Sequence, residues 1–468
     1  MTANMFRAGV GRVDITPPLT APHASWGAQV HVLPDGVEAA LWATALVVDD
    51  GATMAAWIDL DIVIITGEEA EAIRTAVAGT LGIPAAQVRV SVTHNHAGPP
   101  PSAWNWTGQG QAALEGYFGL LPELSAGAAL LARNDLRPAR LGVGSGESRV
   151  GVNRREVAPD GRPVTGANAE GFADPQVLVL RIDDLERRPI AAVVGYTMHP
   201  TTLGPTNRLI GPDWPGHMKR TVEAITGTTC LFAQGAAGNV GPGPRGFTDD
   251  LGVVRKIGAQ VGCEAARVWL GLEVPAVRLR HERVVESGAP LSTWLAEPID
   301  EPAPVVRVAK REVALPVIAQ PPVAEALARV EAAQRRLDEL KAAGAGADEI
   351  AAATFVTKRA NMAHWRAETY GGRDSIVTPI YLLQIGPAVF AGIEGEPFAE
   401  IGAEIKARSP IPHTWFGGYT NGWAGYIPVP EAYPQGGYEV DTTPFAPEAA
   451  AMLVDATVDA LGDLVATR

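Results

Sequence analysis

Cysteine is nearly absent: Cys230 and Cys263 are the two in a chain of 468 residues. Two thiols give no disulfide framework at this length, so a reducing compartment is expected. Long apolar runs are missing as well. Nothing approaches the ~20 apolar residues that a membrane-spanning helix needs, and Met1 to Pro18 holds no apolar core of a signal peptide. These two lacks together give a cytoplasmic chain without a membrane span as the expectation. Positive charge is in deficit, with a formal net charge of −14, which argues against sequence-independent nucleic-acid binding and against attachment to an anionic membrane. Phosphate loops are lacking too. No Gly-Lys-Ser/Thr run occurs, and Gly142-Val143-Gly144-Ser145-Gly146 has no suitable helix after it, so nucleotide use is unsupported.

What remains is the balance of a globular protein, 47% hydrophobic and 19% charged. Three segments repeat a pattern of strand, tight turn and strand: Ala43 to Asp61, Gln176 to His199 and Pro379 to Glu396. Asp-Asp-Gly and Gly-Pro supply turn chemistry in the first and third, and Asp183-Asp184 turns the second. Each second strand ends in groups able to do chemistry, namely Asp59 and Asp61, His199, and Glu394 and Glu396. Helical periodicity covers Glu68 to Leu81, Leu251 to Leu270, Glu400 to Arg408 and Pro447 to Leu464. Val274 to Gln320 is proline-rich and reads as an extended connection with strands at Val277–Val285 and Val305–Val313. Pro321–Lys341 and Asp348–Ala367 then form a charged helical hairpin broken at Gly344-Ala345-Gly346. The fold class is therefore α/β, with mixed β-sheets built from hairpins, layered with helices and carrying an inserted helical hairpin over 321–367. A solvated face is the plain reading of that hairpin; a lid or a contact in a homo-oligomer stays open.

The chemistry concentrates at Thr93-His94-Asn95-His96-Ala97-Gly98-Pro99. An apolar run ends in two histidines one residue apart, and strand alternation points both to one face. Converging imidazoles start a zinc site or a proton-transfer site. Two polar residues satisfied by backbone at a strand end would look the same. His199 ends another strand, and His217 in Asp213-Trp214-Pro215-Gly216-His217 falls at the start of a helix. A catalytic zinc wants three or four N/O ligands with one position open. His94 or His96, His199, and Glu394 or Glu396 would supply three.

The order of motifs is similar to the catalytic domain of the neutral/alkaline ceramidases. It runs Gly9-Val10-Gly11-Arg12-Val13-Asp14-Ile15-Thr16-Pro17, then the histidine segment, Met198-His199-Pro200, Gly395-Glu396-Pro397-Phe398, and Asn421 through Tyr426-Ile427, Glu431, Tyr433, Gln435 and Tyr438-Glu439. The resemblance spans nearly the whole chain and implies a single catalytic domain over 1–468. It further implies a zinc-dependent amidase with one zinc held by His94, His199, Glu396 and Tyr426. His96 would face the scissile carbonyl and shuttle the proton, and Arg154 and Tyr438 would steady the oxyanion or the substrate. Apart from the resemblance, Trp104 and Trp106 close after the histidine pair, and Trp423 near the last motif, read equally as a flat wall beside the site or as core packing. The Gly235–Gly241 loop with Asn239 could offer contacts to a substrate or hold a structural ion. Three departures limit the likeness. Gly241 stands where the family has a loop serine, so a serine nucleophile is ruled out there. The C-terminal immunoglobulin-like domain of secreted members and a secretion signal are not seen in these 468 residues, so a member without either is the expectation. A small soluble amide is thus expected as the partner molecule. A zinc ester or lactone hydrolase, and a non-catalytic metal-binding protein, are the rivals.

Overall fold

The computed structural model describes residues 5–23, 25–29, 31–104, 106–299 and 304–466. An eight-stranded mixed sheet is built from Arg7–Asp14 (β1), Trp42–Asp49 (β2), Met54–Leu60 (β3), Val88–Val92 (β4), Arg137–Glu147 (β5), Gln176–Asp184 (β6), Pro189–Tyr196 (β7) and Thr229–Gln234 (β8), in the order β8-β7-β6-β5-β1-β2-β3-β4. Pairs β7/β8 and β3/β4 are parallel and the remainder antiparallel. A second sheet, in the order β9-β10-β11-β12, contains Val306–Pro316 (β9), Ser375–Ile385 (β10), Ala388–Ile393 (β11) and His413–Gly417 (β12).

Strand alternation sends the two faces of β2 to different layers. Ala43, Ala45 and Val47 pack under Gly67–Leu81 (α1) and Gln111–Asn134 (α2), whereas Leu46 and Val48 meet the second sheet together with Trp57, Phe390 and Trp415. Asp213–Thr226 (α3) and Leu251–Gly271 (α4) cover β6 and β7. The outer face of the second sheet carries Ala399–Arg408 (α7) and Ala449–Ala466 (α9). The layers thus run helix, sheet, sheet, helix. Strands buried on both sides explain why the hairpins read as nearly unbroken apolar runs.

Local signals account for several boundaries. Thr66 and Glu69 form a reciprocal capping box on α1, and Gly82 closes that helix in the left-handed region at φ 71°. The β2–β3 turn is held by Asp50, whose carboxylate accepts from Ala52 N and Thr53 N. Helix α2 lies across β1 at its glycines: a Cβ on Gly9 would stand 2.2 Å from Ala132 O, and one on Gly11 2.3 Å from Ala128 O. The expected extended connection after α4 holds a further strand. Val277–Glu286 pairs with Pro290–Pro298 in a separate hairpin.

The helical hairpin is Val323–Ala342 (α5) and Ala347–Tyr370 (α6), between neighbouring strands β9 and β10. No helix among the described residues is long and apolar enough to cross a membrane.

Candidate metal centre

The large sheet curls until its two edges meet. Phe232 N on β8 donates to Asp59 Oδ2 on β3 at 3.0 Å. Lys219 of α3 lies between the carboxylates, 2.6 Å from Asp61 Oδ1 and 3.2 Å from Asp59 Oδ2. Asp59 and Asp61 therefore serve as a buried ionic clasp rather than as groups facing a cleft. The clasp brings the end of β4, with His94 and His96, to the end of β7, with His199.

Strand alternation is not what makes the histidine pair converge. Strand β4 stops at Val92, and His94 takes the left-handed conformation at φ 65°. Thr93 N and Asn95 N donate to Leu60 O and Ile62 O, which fixes the turn against the continuation of β3. That turn puts His96 Nε2 3.3 Å from His94 Nε2, and His199 Nε2 approaches His94 Nε2 to 3.1 Å.

Each imidazole turns its other nitrogen to a backbone carbonyl. His94 Nδ1 faces Val63 O at 2.8 Å, His199 Nδ1 faces Ala237 O at 2.6 Å, and His96 Nδ1 faces Ser25 O at 3.3 Å. A proton on each Nδ1 leaves three Nε2 lone pairs aimed at one another. Neutral lone pairs repel at that range; a cation among them removes the conflict, and the carbonyls fix the tautomer as they do in metal sites. These three histidines can hold a metal ion. Glu396 lies beside them, with Oε2 3.3 Å from His199 Nε2 and 3.6 Å from His94 Nε2.

Glu396 is oriented by Trp423 Nε1, which donates to its Oε1 at 2.7 Å, and by the Tyr419 hydroxyl, which donates to Oε2 at 3.2 Å. Of the two glutamates left open by the sequence, Glu394 points elsewhere and accepts from the Tyr381 hydroxyl at 2.6 Å. The short parallel pairing of Glu396–Pro397 with Tyr426–Ile427 puts Tyr426 beside the carboxylate, and its ring stacks 6.4 Å from that of His199. Arg154 Nη2 donates to the Tyr426 hydroxyl at 3.1 Å and Arg154 Nε to Glu439 Oε1 at 2.8 Å. Tyr438 opens the short helix Tyr438–Thr442 (α8), with its ring 5.6 Å from that of Tyr426 and 41% of its surface exposed.

Burial, against the opposing pull of Glu396, pushes His94 and His96 down to about 3 and His199 to about 4, so all three are neutral near pH 7. Burial works against ionising Glu396, yet positive charge placed at His94 and His199 and the hydrogen bond from the Trp423 indole hold it well below the usual carboxylate range. Neutral imidazoles beside an anion are the donors that zinc takes.

The other expected contacts lie as follows. Asn239 Oδ1 accepts from Ala399 N and its amide donates to Glu400, both at 2.8 Å, so this side chain is engaged at the start of α7. The Gly235–Gly241 loop orients His199 through Ala237 O and Val240 O. Trp106 donates to Gln109 O and packs against the core under α2, and Trp104 is 49% exposed. His217 lies in the second turn of α3 facing Glu38 at 3.4 Å. Sequence reasoning missed Tyr419, whose ring is 4.2 Å from that of His94, and Trp26, 5.2 Å from that of His96. It also gave Glu439 no role, although this residue anchors Arg154. Nothing local marks Tyr419 or Trp26, which reach the centre from distant segments, whereas Glu439 stands in the last of the ordered motifs without a role assigned to it.

A family profile described as neutral/alkaline non-lysosomal ceramidase, N-terminal, matches residues 6–247, more than half of the chain. The chain belongs to this family. The neutral ceramidase of Pseudomonas aeruginosa is 24% identical over 285 residues, which cover 56% of this chain and 42% of that protein. Neutral ceramidase A of Dictyostelium discoideum is 30% identical over 176 residues, covering 34% of this chain and 24% of that protein. The matched stretches thus span less than half the length of these curated relatives. Among solved structures, the Pseudomonas aeruginosa neutral ceramidase superimposes with a TM-score of 0.65 at 21% identity, over 98% of this chain and 75% of that one. A ceramidase complexed with C2 gives 0.66 at 21% identity over 99% and 75%. At that identity the superpositions establish a shared fold, which is the α/β class expected from the sequence.

Proposed function

We propose that this chain is a zinc-dependent hydrolase that cleaves the C–N bond of a non-peptide amide, an N-acyl amine of modest size. One observation carries the reading: three imidazole Nε2 atoms and a buried carboxylate converge while every Nδ1 is held on a backbone carbonyl. The relatives bear the name ceramidase, which supports an acyl amide as the bond class. His94, His199, Glu396 and Tyr426 would hold one ion per chain. When bound, zinc supplies a water of lowered pKa and polarises an acyl carbonyl.

The side chains supply the rest. His96 is neutral near pH 7 and only half-buried, so it can take a proton from water and deliver it to the leaving nitrogen. Arg154, clamped between Glu439 and Tyr426, offers a fixed positive charge for a developing oxyanion. Tyr438, partly exposed beside Tyr426, presents a phenol to the same oxygen or to the substrate. Trp423 forms the wall next to Glu396. Gly241 offers no nucleophile, which leaves water as the attacking group.

Elemental analysis of purified protein beside a screen of N-acyl amines tests the proposal. About one zinc per chain is expected in the wild type. His199→Ala should lose both metal and hydrolysis, and His96→Ala should keep metal but lose turnover. Loss of metal in His96→Ala would make His96 a ligand and remove its proton-transfer role. Release of an alcohol rather than an amine would favour an ester or lactone hydrolase. Full activity after exhaustive chelation would end the mechanism.

A further inference from the structure

Helix α6 of the inserted hairpin touches three segments that carry the centre. Lys358 donates to Gly27 O, next to Trp26 and its contact with His96. Arg359 pairs with Asp441 of α8, the helix that Tyr438 opens. The Trp365 ring lies 5.8 Å from that of Trp423, whose indole donates to Glu396. Residues 358, 359, 365 and 366 share one face of an α-helix by their spacing. This face therefore walls the outer side of the centre.

The wall is cationic on a chain whose net charge is −14. Arg366 is partly buried, and its Nε lacks a hydrogen-bond partner among the described residues. The charges close enough to act on it are Arg359 and Asp441, which oppose each other, and Arg359 already pairs with Asp441. Three cations against one carboxylate leave positive charge in excess. A solvated helix face would turn Arg366 to water; holding a guanidinium half-buried and incompletely bonded is costly unless an anion completes it. A neutral amide such as ceramide supplies no such anion.

We propose that the inner face of α6 binds a carboxylate on the substrate, so that the amide is an N-acyl amino acid rather than a neutral lipid amide. The proposal rests on the hydrolase reading for the amide itself, but its test does not require turnover. The probe is the ketone isostere of N-nonanoylglycine, with a methylene in place of the amide nitrogen, compared with its neutral primary amide by calorimetric titration of the zinc-loaded chain. The acid should bind about tenfold more tightly than the neutral compound, the advantage of one charge-assisted pair. Arg366→Met should bring the two affinities together without weakening the neutral compound or lowering the melting temperature, and Arg366→Lys should keep most of the preference. Equal binding by the wild type, no binding of either compound, or a preference that survives Arg366→Met overturns the assignment. Because the probe has no cleavable bond, a chain that binds it as expected yet hydrolyses no amide contradicts the hydrolase reading alone.

Discussion

Trp423 donates its single polar hydrogen to a carboxylate with 2% of its surface exposed. A ligand pointed by an outer hydrogen bond depends on it, since removal frees the carboxylate to rotate away from the imidazoles. Trp423→Phe keeps the ring and deletes the donor. It should weaken zinc binding about 10- to 100-fold with little change in metal-free stability, as read by competition with a chelator of known affinity. Unchanged zinc affinity would show that the Tyr419 hydroxyl alone holds Glu396. At this scale the residues that converge were legible because His94, His199 and Glu396 each follow a β-rich run and stand in ordered motifs. The groups that aim them were not. Val63 O and Ala237 O are backbone atoms with no sequence mark, and Tyr419 reaches Glu396 only once the second sheet has packed on the first.

Turn chemistry made the β2–β3, β6–β7 and β10–β11 hairpins readable, because Asp, Gly and Pro act on their immediate neighbours. Helix α2 was not read. Gly116, Gly119, Pro122 and Gly127 interrupt its sequence as breakers, and its stability comes instead from burying Leu114, Tyr117, Phe118, Leu121 and Ala128 against the sheet. The strand Pro290–Pro298 was hidden for a related reason: it pairs with Val277–Glu286 but buries little, so no apolar alternation marks it. The crossing of α2 over β1 makes a clean test of the packing account. A methyl on Gly11 would meet Ala128 O at 2.3 Å and Ala132 N at 2.6 Å, both backbone atoms that cannot swing aside. Gly11→Ala should destabilise the fold by about 1–3 kcal/mol through forced separation of helix and strand, measured as a drop in the denaturant midpoint at constant slope. A midpoint matching the wild type would mean that α2 slides freely on β1.

For the molecule as a whole, four histidines, three buried and His96 half-buried, decide how the fold meets acid. His94 and His96 are held at about 3, and His199 and His23 at about 4, against 6.5 in an unfolded chain, chiefly because burial penalises the charged ring. Between those values the unfolded chain binds protons that the folded chain refuses, so stability falls as pH drops from about 6.5 toward 4. Glu396, depressed below its ordinary 4.5, adds loss of the same sign further down. Asp59 and Asp213 work in the opposite sense. Burial raises each to about 6, so the folded form gains those protons first, but they are two groups set against the four imidazoles. Zinc bound as proposed would couple to the same protons, because an occupied Nε2 cannot be protonated, and its stabilisation should shrink as acid competes for the donors. Thermal melts of chelator-treated chain should therefore show a lower midpoint at about pH 5 than at about pH 7, and excess zinc should raise the midpoint more at the higher pH. A metal-free midpoint that is level or rises on acidification would mean that these rings are protonated in the folded state, and the convergence of lone pairs on which the metal centre depends would be lost with it.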